Sequence, residues 1–281
     1  MKLLINADDL GYCSERDKGI LEGVECGVIK NVSFMVNGEN AESAANQTKV
    51  LLRSHSFCVG LHINFTEGRP IHSDVPSLVN ESGTLLGKFE FREAWHQNLI
   101  DPDHILRELD SQIDAFYSLL GFMPHHVDSH QHTHQIPSLA KLLIPTLLKR
   151  DVQSIRIPTQ ASNHQKLSPF LCQVHKESEI SKDLFAGFFL CDGFIGLTIM
   201  GNSSTDVLEE ELNQMMATQQ ENAIVEWMCH PGYCCDYKDD FSESTEREDE
   251  LHLLVSKELK EMIARNNIVL DCWPENSNSC N

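Results

Sequence analysis

Apolar and polar positions along the chain fall into short blocks that alternate strand with helix. Lys2-Leu3-Leu4-Ile5-Asn6-Ala7 is a mostly apolar run that ends in Asp8-Asp9, as a buried strand with acids at its C-terminal tip would. Ser14 can then cap a helix carrying Ile20, Leu21 and Val24 that stops near Gly27. A strand at Val32 to Val36, a helix at Ala41 to Arg53 and a strand at Phe57 to Ile63, with His62 near its end, continue the rhythm. This spacing predicts parallel βαβ units.

Thr66 to Leu99 breaks the pattern with Gly68, Pro70, Pro76, Gly83 and Gly87, yet keeps Leu78, Leu85, Leu86, Phe89 and Trp95 as apolar anchors. It reads as a long excursion of the functional kind rather than a linker. Asp103 is the expected cap of a helix to Leu120, with Ile105, Leu109, Ile113 and Phe116 on one face. Strands are expected at 125–129, 154–157, 194–199, 223–229 and 268–272, and helices at 137–150, 207–219 and 244–265. Residues 160–200 are otherwise ambiguous.

About seven strands alternating with helices fit a (β/α) barrel better than an open sheet. Neither an internal repeat nor a compositional break marks a boundary, so one domain over 1–281 with an insertion around 66–100 is expected. Asp8-Asp9, His62, His130 and His230 each lie at or just past the C-terminal end of an expected strand, the active-site face of a barrel.

Composition narrows the partners. The net charge is −20, from 42 acidic against 22 basic residues, which disfavours nucleic-acid phosphates and anionic membranes. Acids interrupt the N-terminal apolar segment too early for a signal peptide, and no apolar run is long enough to span a membrane. A cytoplasmic location is therefore expected. The ten cysteines form neither a C-x-x-C pair nor a regular framework, so reduced thiols are expected.

The segment DSHQHTH, residues 128–134, poses the sharpest chemical question. On a strand, side chains two apart project to one side about 6 to 7 Å from each other, so one ion cannot take all of Asp128, His130, His132 and His134. On a helix, His130 and His134 would share a face. Spacing alone permits His130 with His132 or with His134. Asp9, His62 and His130 come from three strand tips that a barrel would converge, and two imidazoles with one carboxylate make a hydrolytic metal centre. Asp8 then offers a base for water, and Asp128 a carboxylate to hold a ligating imidazole. Taken singly, the Asp8-Asp9 pair also suits a capping turn, and His62 a strand-end histidine.

The stretches INADDLGYC, GLHINFTEGRP, HHVDSHQHTH, IRIPTQ and MCHPGY, in this order, resemble the motifs of the YdjC family of carbohydrate deacetylases over residues 3 to about 272. The animal-type members are the most similar, through VNG…ESAA and HPGY. The resemblance implies an α/β fold, a distorted (β/α) barrel related to NodB-type polysaccharide deacetylases. It implies Asp8 as proton acceptor and Asp9, His62 and His130 as divalent-metal ligands. It also implies Mg²⁺, whereas the ligand chemistry suits Zn²⁺ or a similar ion better. Gln160 departs from the acid that bacterial members often carry.

The expected reaction is hydrolysis of an N-acetyl group from an acetylated amino sugar of the chitooligosaccharide kind, releasing acetate. His230 is the expected acid for the leaving amine, Arg156 is expected to orient Asp8 or bind substrate, and His132 to face the substrate. His134 is expected to pack at the start of the next helix. Tyr12, Phe65 and Trp95 are candidates for stacking on sugar rings. A homodimer is admitted. The rivals are a metal-dependent phosphoesterase, disfavoured by the scarcity of Lys and Arg near the motifs, and a non-catalytic carbohydrate- or protein-binding member.

Overall fold

The computed structural model describes residues 1–159, 167–200, 204–220, 222–235 and 244–274. Gln160 lies outside them. The elements run β1 (Lys2–Leu10), α1 (Ser14–Glu25), β2 (Asn31–Phe34), α2 (Ala41–Leu51), β3 (Cys58–Ile63), α3 (Lys88–His96), α4 (Pro102–Leu120) and β4 (Val127–Ser129). Then follow α5 (Pro137–Lys149), α6 (Pro169–Ser181), β5 (Gly193–Ile195), α7 (Thr205–Thr218), β6 (Ile224–Cys229), α8 (Glu246–Val255), α9 (Lys257–Arg265) and β7 (Val269–Leu270).

All the strand pairings are parallel, in the order β4-β3-β2-β1-β6-β5. β7 pairs with Lys2 and Leu3 of β1, while β2 takes Asn6 to Leu10, so the two share that side of β1 in succession. Beyond β4 the sheet continues, among the described residues, through single bridges, Val127 to Ile155 and Ser154 to Phe189. The sheet is therefore a curled, open form of the expected barrel. The expected strand at 154–157 is reduced to these bridges, which still tie Arg156 in place: its N–H donates to the Val127 carbonyl at 3.0 Å.

The strands are buried almost throughout: β2, β3 and β4 entirely, and in β1 only Lys2 is exposed. Ser14 is the first residue of α1 rather than its cap; Cys13 takes the cap position, with no side-chain cap bond. Two further helix boundaries differ from expectation for local reasons. Asp101, not Asp103, caps α4, its carboxylate accepting from the Asp103 N–H at 2.9 Å, because Pro102 fits the first helical position. The expected helix over 244–265 is split at Ser256, whose extended backbone (ψ 154°) ends α8 and whose Oγ caps α9.

The excursion after β3 is folded against the core. Val75, Leu78, Leu85, Phe91 and Ile100 are buried, whereas Phe89 is 62 % exposed. Phe65 is likewise a core residue, stacked on Phe91, and Trp95 donates to Ser138 Oγ; neither is among the residues lining the site cavity. Of the nine cysteines among the described residues, Cys13, Cys58, Cys229 and Cys235 are buried. No described helix is long and apolar enough to cross a membrane.

One close approach shapes the strand-tip face. A Cβ on Gly19 of α1 would lie 2.5 Å from the Gly232 Cα, so α1 and the His230-Pro231-Gly232 turn pack backbone to backbone. Arg16 of α1 and His230 of that turn both line one cavity.

Candidate metal and catalytic site

Adjacent residues on a strand normally point to opposite faces. β1 escapes this rule at its tip. Its register with β2 shifts between Ala7 and Leu10, and Asp9 takes the left-handed conformation (φ 70°). The irregularity turns both Asp8 and Asp9 into the same cavity, of about 530 Å³. Such backbone strain at a buried non-glycine residue persists only where its surroundings hold it.

The surroundings do hold Asp9. Its Oδ2 accepts from Arg16 and from Arg247, each at 3.1 Å. Its Oδ1 faces His130 Nδ1 at 3.0 Å and His62 Nε2 at 3.4 Å. Burial alone would raise this carboxyl, but His130, His62 and Arg16 hold it well below the usual carboxylate range.

Each imidazole is braced by a carboxylate on its other nitrogen. His62 Nδ1 lies 2.7 Å from Asp128 Oδ1, and His130 Nε2 lies 3.2 Å from Glu67 Oε1. The Glu67 carboxyl would rise on burial, yet His130 draws it down to about 2. Against the cost of burial, Asp128 and Asp9 raise His62 to about 10, and Glu67 and Asp9 raise His130. A carboxylate behind a histidine is how metal sites fix the ring and its tautomer.

Asp9, His62 and His130 offer ligand atoms within 4.8 Å of one another. One carboxylate oxygen and two imidazole nitrogens, each steadied from behind, fit a divalent cation. Asp8, His62 and Asp128 are equally close, but Arg156 already occupies both acids, at 2.6 Å from Asp8 Oδ2 and 2.9 Å from Asp128 Oδ2. That second trio is a charge network rather than a place for a cation.

Arg156 is fully buried and is not among the residues lining the cavity. It grips both oxygens of Asp8 (2.6 and 2.7 Å) and donates through Nε to Glu226 Oε1 at 2.7 Å. Direct substrate binding, one of its two expected roles, does not fit that place; orienting Asp8 does. Three carboxylates share one guanidinium, and Glu226 is raised from 4.5 to about 8 by burial, Arg156 opposing. His230 Nε2 stands 3.9 Å from Asp8 Oδ2, and burial lowers its imidazole to about 4, so it is neutral near pH 7.

The DSHQHTH segment is neither strand nor α-helix beyond Ser129. It turns through a tight bend in which Gln131 (φ 54°) and His132 (φ 55°) are left-handed. His130 joins the cluster and His132 lines the cavity, its Nδ1 without a partner among the described residues. Burial, with Arg156 nearby, lowers His132 well below its usual value. His134 turns away: its Nδ1 meets Ser129 Oγ at 2.5 Å and its Nε2 the Arg156 carbonyl at 3.0 Å. It sits in the bend just before α5, close to its expected place. His125 and His126 lie outside the site; His126 stacks on Trp273 with ring centroids 4.8 Å apart.

Three contributors escaped sequence reasoning. Glu67 stood inside a quoted motif without a role, and Arg16 and Arg247 looked like ordinary helix residues. With Lys88 the two arginines also line the cavity, so basic groups are less scarce here than the motifs implied. Both arginines are, however, engaged with Asp9.

Comparison with known proteins places the chain in a family. The family model described as YdjC-like protein matches residues 2–265. A carbohydrate deacetylase of Mus musculus is 35% identical over 292 residues, covering 96% of this chain and 93% of its own length. A chitooligosaccharide deacetylase of Serratia marcescens is 30% identical, covering 82% and 81% respectively. A crystal structure from Enterococcus faecalis V583, provisionally assigned to cellobiose-phosphate cleavage, superposes with a TM-score of 0.75 at 25% identity over 97% of each chain. On sequence and on fold alike, the chain belongs to the YdjC-like family.

Proposed function

We propose that this protein is a metal-dependent carbohydrate deacetylase that hydrolyses N-acetyl groups of amino sugars, releasing acetate and a free amine. The observation that carries the reading is the turn at the tip of β1. It aims two adjacent carboxylates into one cavity, one of them among two carboxylate-braced imidazoles. The relatives named carbohydrate and chitooligosaccharide deacetylases support the substrate class. In this reading the chain is a single domain, and the excursion around 66–100 belongs to its site.

Asp9, His62 and His130 hold the cation. This donor set suits Zn²⁺ or a related transition metal better than Mg²⁺, which prefers an oxygen octahedron. When bound, the cation supplies a Lewis acid for the acetyl carbonyl and acidifies water. Asp8, fixed by Arg156, takes the proton of the attacking water. His230 starts neutral, receives that proton from Asp8 across the 3.9 Å gap, and delivers it to the departing amine as the C–N bond breaks. His132 forms the wall beside the reacting group.

The test is acetate release from diacetylchitobiose by metal-loaded protein, run beside a phosphate monoester. Acetate release without phosphate release supports the deacetylase. The converse would establish the phosphoesterase, and binding of the sugar without either product would establish a non-catalytic member.

A further inference from the structure

Two helices from distant parts of the chain help to line the site cavity: α3 brings Lys88, and α6 brings Phe170 and Leu171. Arg92 of α3 is buried and pairs with Glu177 of α6, its Nη1 lying 2.9 and 2.7 Å from the two carboxylate oxygens. Its Nη2 donates to the backbone carbonyls of Gln131 at 3.2 Å and His132 at 3.5 Å. One guanidinium thus joins both helices to the DSHQHTH bend. We propose that Arg92 is a positioning residue, which aims the His132 side chain into the cavity by holding the backbone of the bend. The proposal rests on the deacetylase reading, in which His132 is the wall beside the reacting group, and names what sets that wall.

His132 lacks the support that the neighbouring imidazoles have. Asp128 steadies His62 and Glu67 steadies His130, each through a ring nitrogen, whereas His132 Nδ1 has no partner among the described residues. Its direction therefore depends on its backbone, and that backbone is unusual. Gln131 and His132 are consecutive left-handed residues (φ 54° and 55°), a conformation that residues other than glycine avoid and that persists only where its surroundings hold it. The carbonyls of these same two residues are the ones that Arg92 engages. A guanidinium suits the task, because its planar fork sends one nitrogen to the carboxylate and the other to the carbonyls.

Arg92 is itself well anchored. Gln173, one turn before Glu177 on α6, donates to Glu177 Oε1 at 2.9 Å, and the guanidinium carbon lies 5.2 Å from the Phe170 ring centroid. Phe91, next to Arg92, stacks on Phe65 in the core, with ring centroids 6.0 Å apart. At the far end of the bend α6 adds a second tie, Ser181 Oγ donating to the Gln135 carbonyl at 2.8 Å. The excursion after β3 thereby serves the site twice: Glu67 stands behind His130, and Arg92 behind the backbone of His132.

Arg92→Lys tests this without emptying the ion pair, because an ammonium can still meet Glu177 but offers no second arm to the bend. At full metal content, kcat/KM for acetate release from diacetylchitobiose should fall about tenfold or more, the scale of a displaced active-site group. The same substitution made in His132→Ala protein should cost nothing further, since a residue acting through His132 has no effect once His132 is gone. Nuclear magnetic resonance of histidine-labelled, metal-free protein gives a readout apart from activity. The His132 ring signals, identified by their loss in His132→Ala, should move in Arg92→Lys. Undiminished kcat/KM in Arg92→Lys, or an equal loss with and without His132, would overturn the proposal. Should the wild-type protein release no acetate, the deacetylase reading fails and the ring signals alone decide: moved signals keep the positioning role, and unmoved signals refute it.

Discussion

His62 and Asp128 are register partners on neighbouring strands β3 and β4, and their side chains meet at 2.7 Å between Nδ1 and Oδ1. Parallel pairing therefore sets Asp128 beside the proposed ligand His62. Asp128 is held in turn by Ser33 Oγ at 2.6 Å and by Arg156 at 2.9 Å, so the imidazole has little freedom to turn. Asp128→Asn should weaken metal binding by about 10–100-fold, the usual cost of losing such a partner. Titration of the metal-free protein with Zn²⁺ measures this. Unchanged affinity would remove Asp128 from the site.

The three histidines of the bend separate by role. His134→Ala should leave metal affinity unchanged while lowering Tm, because it deletes the contacts to Ser129 and the Arg156 carbonyl. His132→Ala should raise KM or lower kcat at full metal content, since His132 lines the cavity outside the ligand cluster. Metal analysis beside steady-state kinetics distinguishes them. A fall in metal content in His134→Ala would contradict this division.

The buried network around Arg156 makes stability depend on pH. Glu226 is raised from 4.5 to about 8 on burial, so its stabilising form is the protonated one. That contribution is complete below pH 4.5 and is lost as pH climbs toward 8. Asp17 and Glu250, each raised to about 7 chiefly by burial, add the same sign, as does His62, raised to about 10. His126, His134 and His230 are lowered by burial and act oppositely, but only below their ordinary 6.5. Between pH 6.5 and 8 the Tm of the metal-free protein should therefore fall. Glu226→Gln keeps a neutral acceptor for Arg156 Nε and should flatten the slope, as thermal melts across that window would show. A wild-type Tm that rises over the window would refute the assignment.

Much of the site was legible because strand tips are legible. Asp9, His62 and His130 follow apolar blocks that could only be buried strands, and a parallel sheet brings such tips together. Asp128 as a brace was also readable from its place beside the histidines. The left-handed turn at Asp9 was not, since nothing in ADDLG requires the backbone to bulge before Gly11. Arg247 pairs with an acid 238 residues away, and no local pattern announces such a contact. Arg156 sat at the right strand but at the wrong depth: the sequence gives no sign that three acids would draw it beneath the cavity. Ser256 looked like a helix residue because its capping hydroxyl matters only once the chain has turned.

Removing Asp9, a proposed ligand, is not structurally neutral. Asp9→Ala leaves Arg16 and Arg247 buried without their carboxylate, and losing one partner of a buried ion pair typically costs about 3–5 kcal/mol. Its Tm should drop well below that of His130→Ala, although both should lose metal and activity. Equal melting temperatures would show that the two arginines find other partners.

The division of labour between Asp8 and Asp9 is the central claim, and metal content measured together with acetate release in Asp8→Asn and Asp9→Asn tests it most directly. Asp8→Asn should retain the metal and lose turnover, because an amide cannot take the proton of water near pH 7. Asp9→Asn should lose both, since a neutral amide oxygen is a poor ligand for a divalent cation. Asp8→Asn protein that loses its metal, or Asp9→Asn protein that keeps both metal and acetate release, would contradict the account.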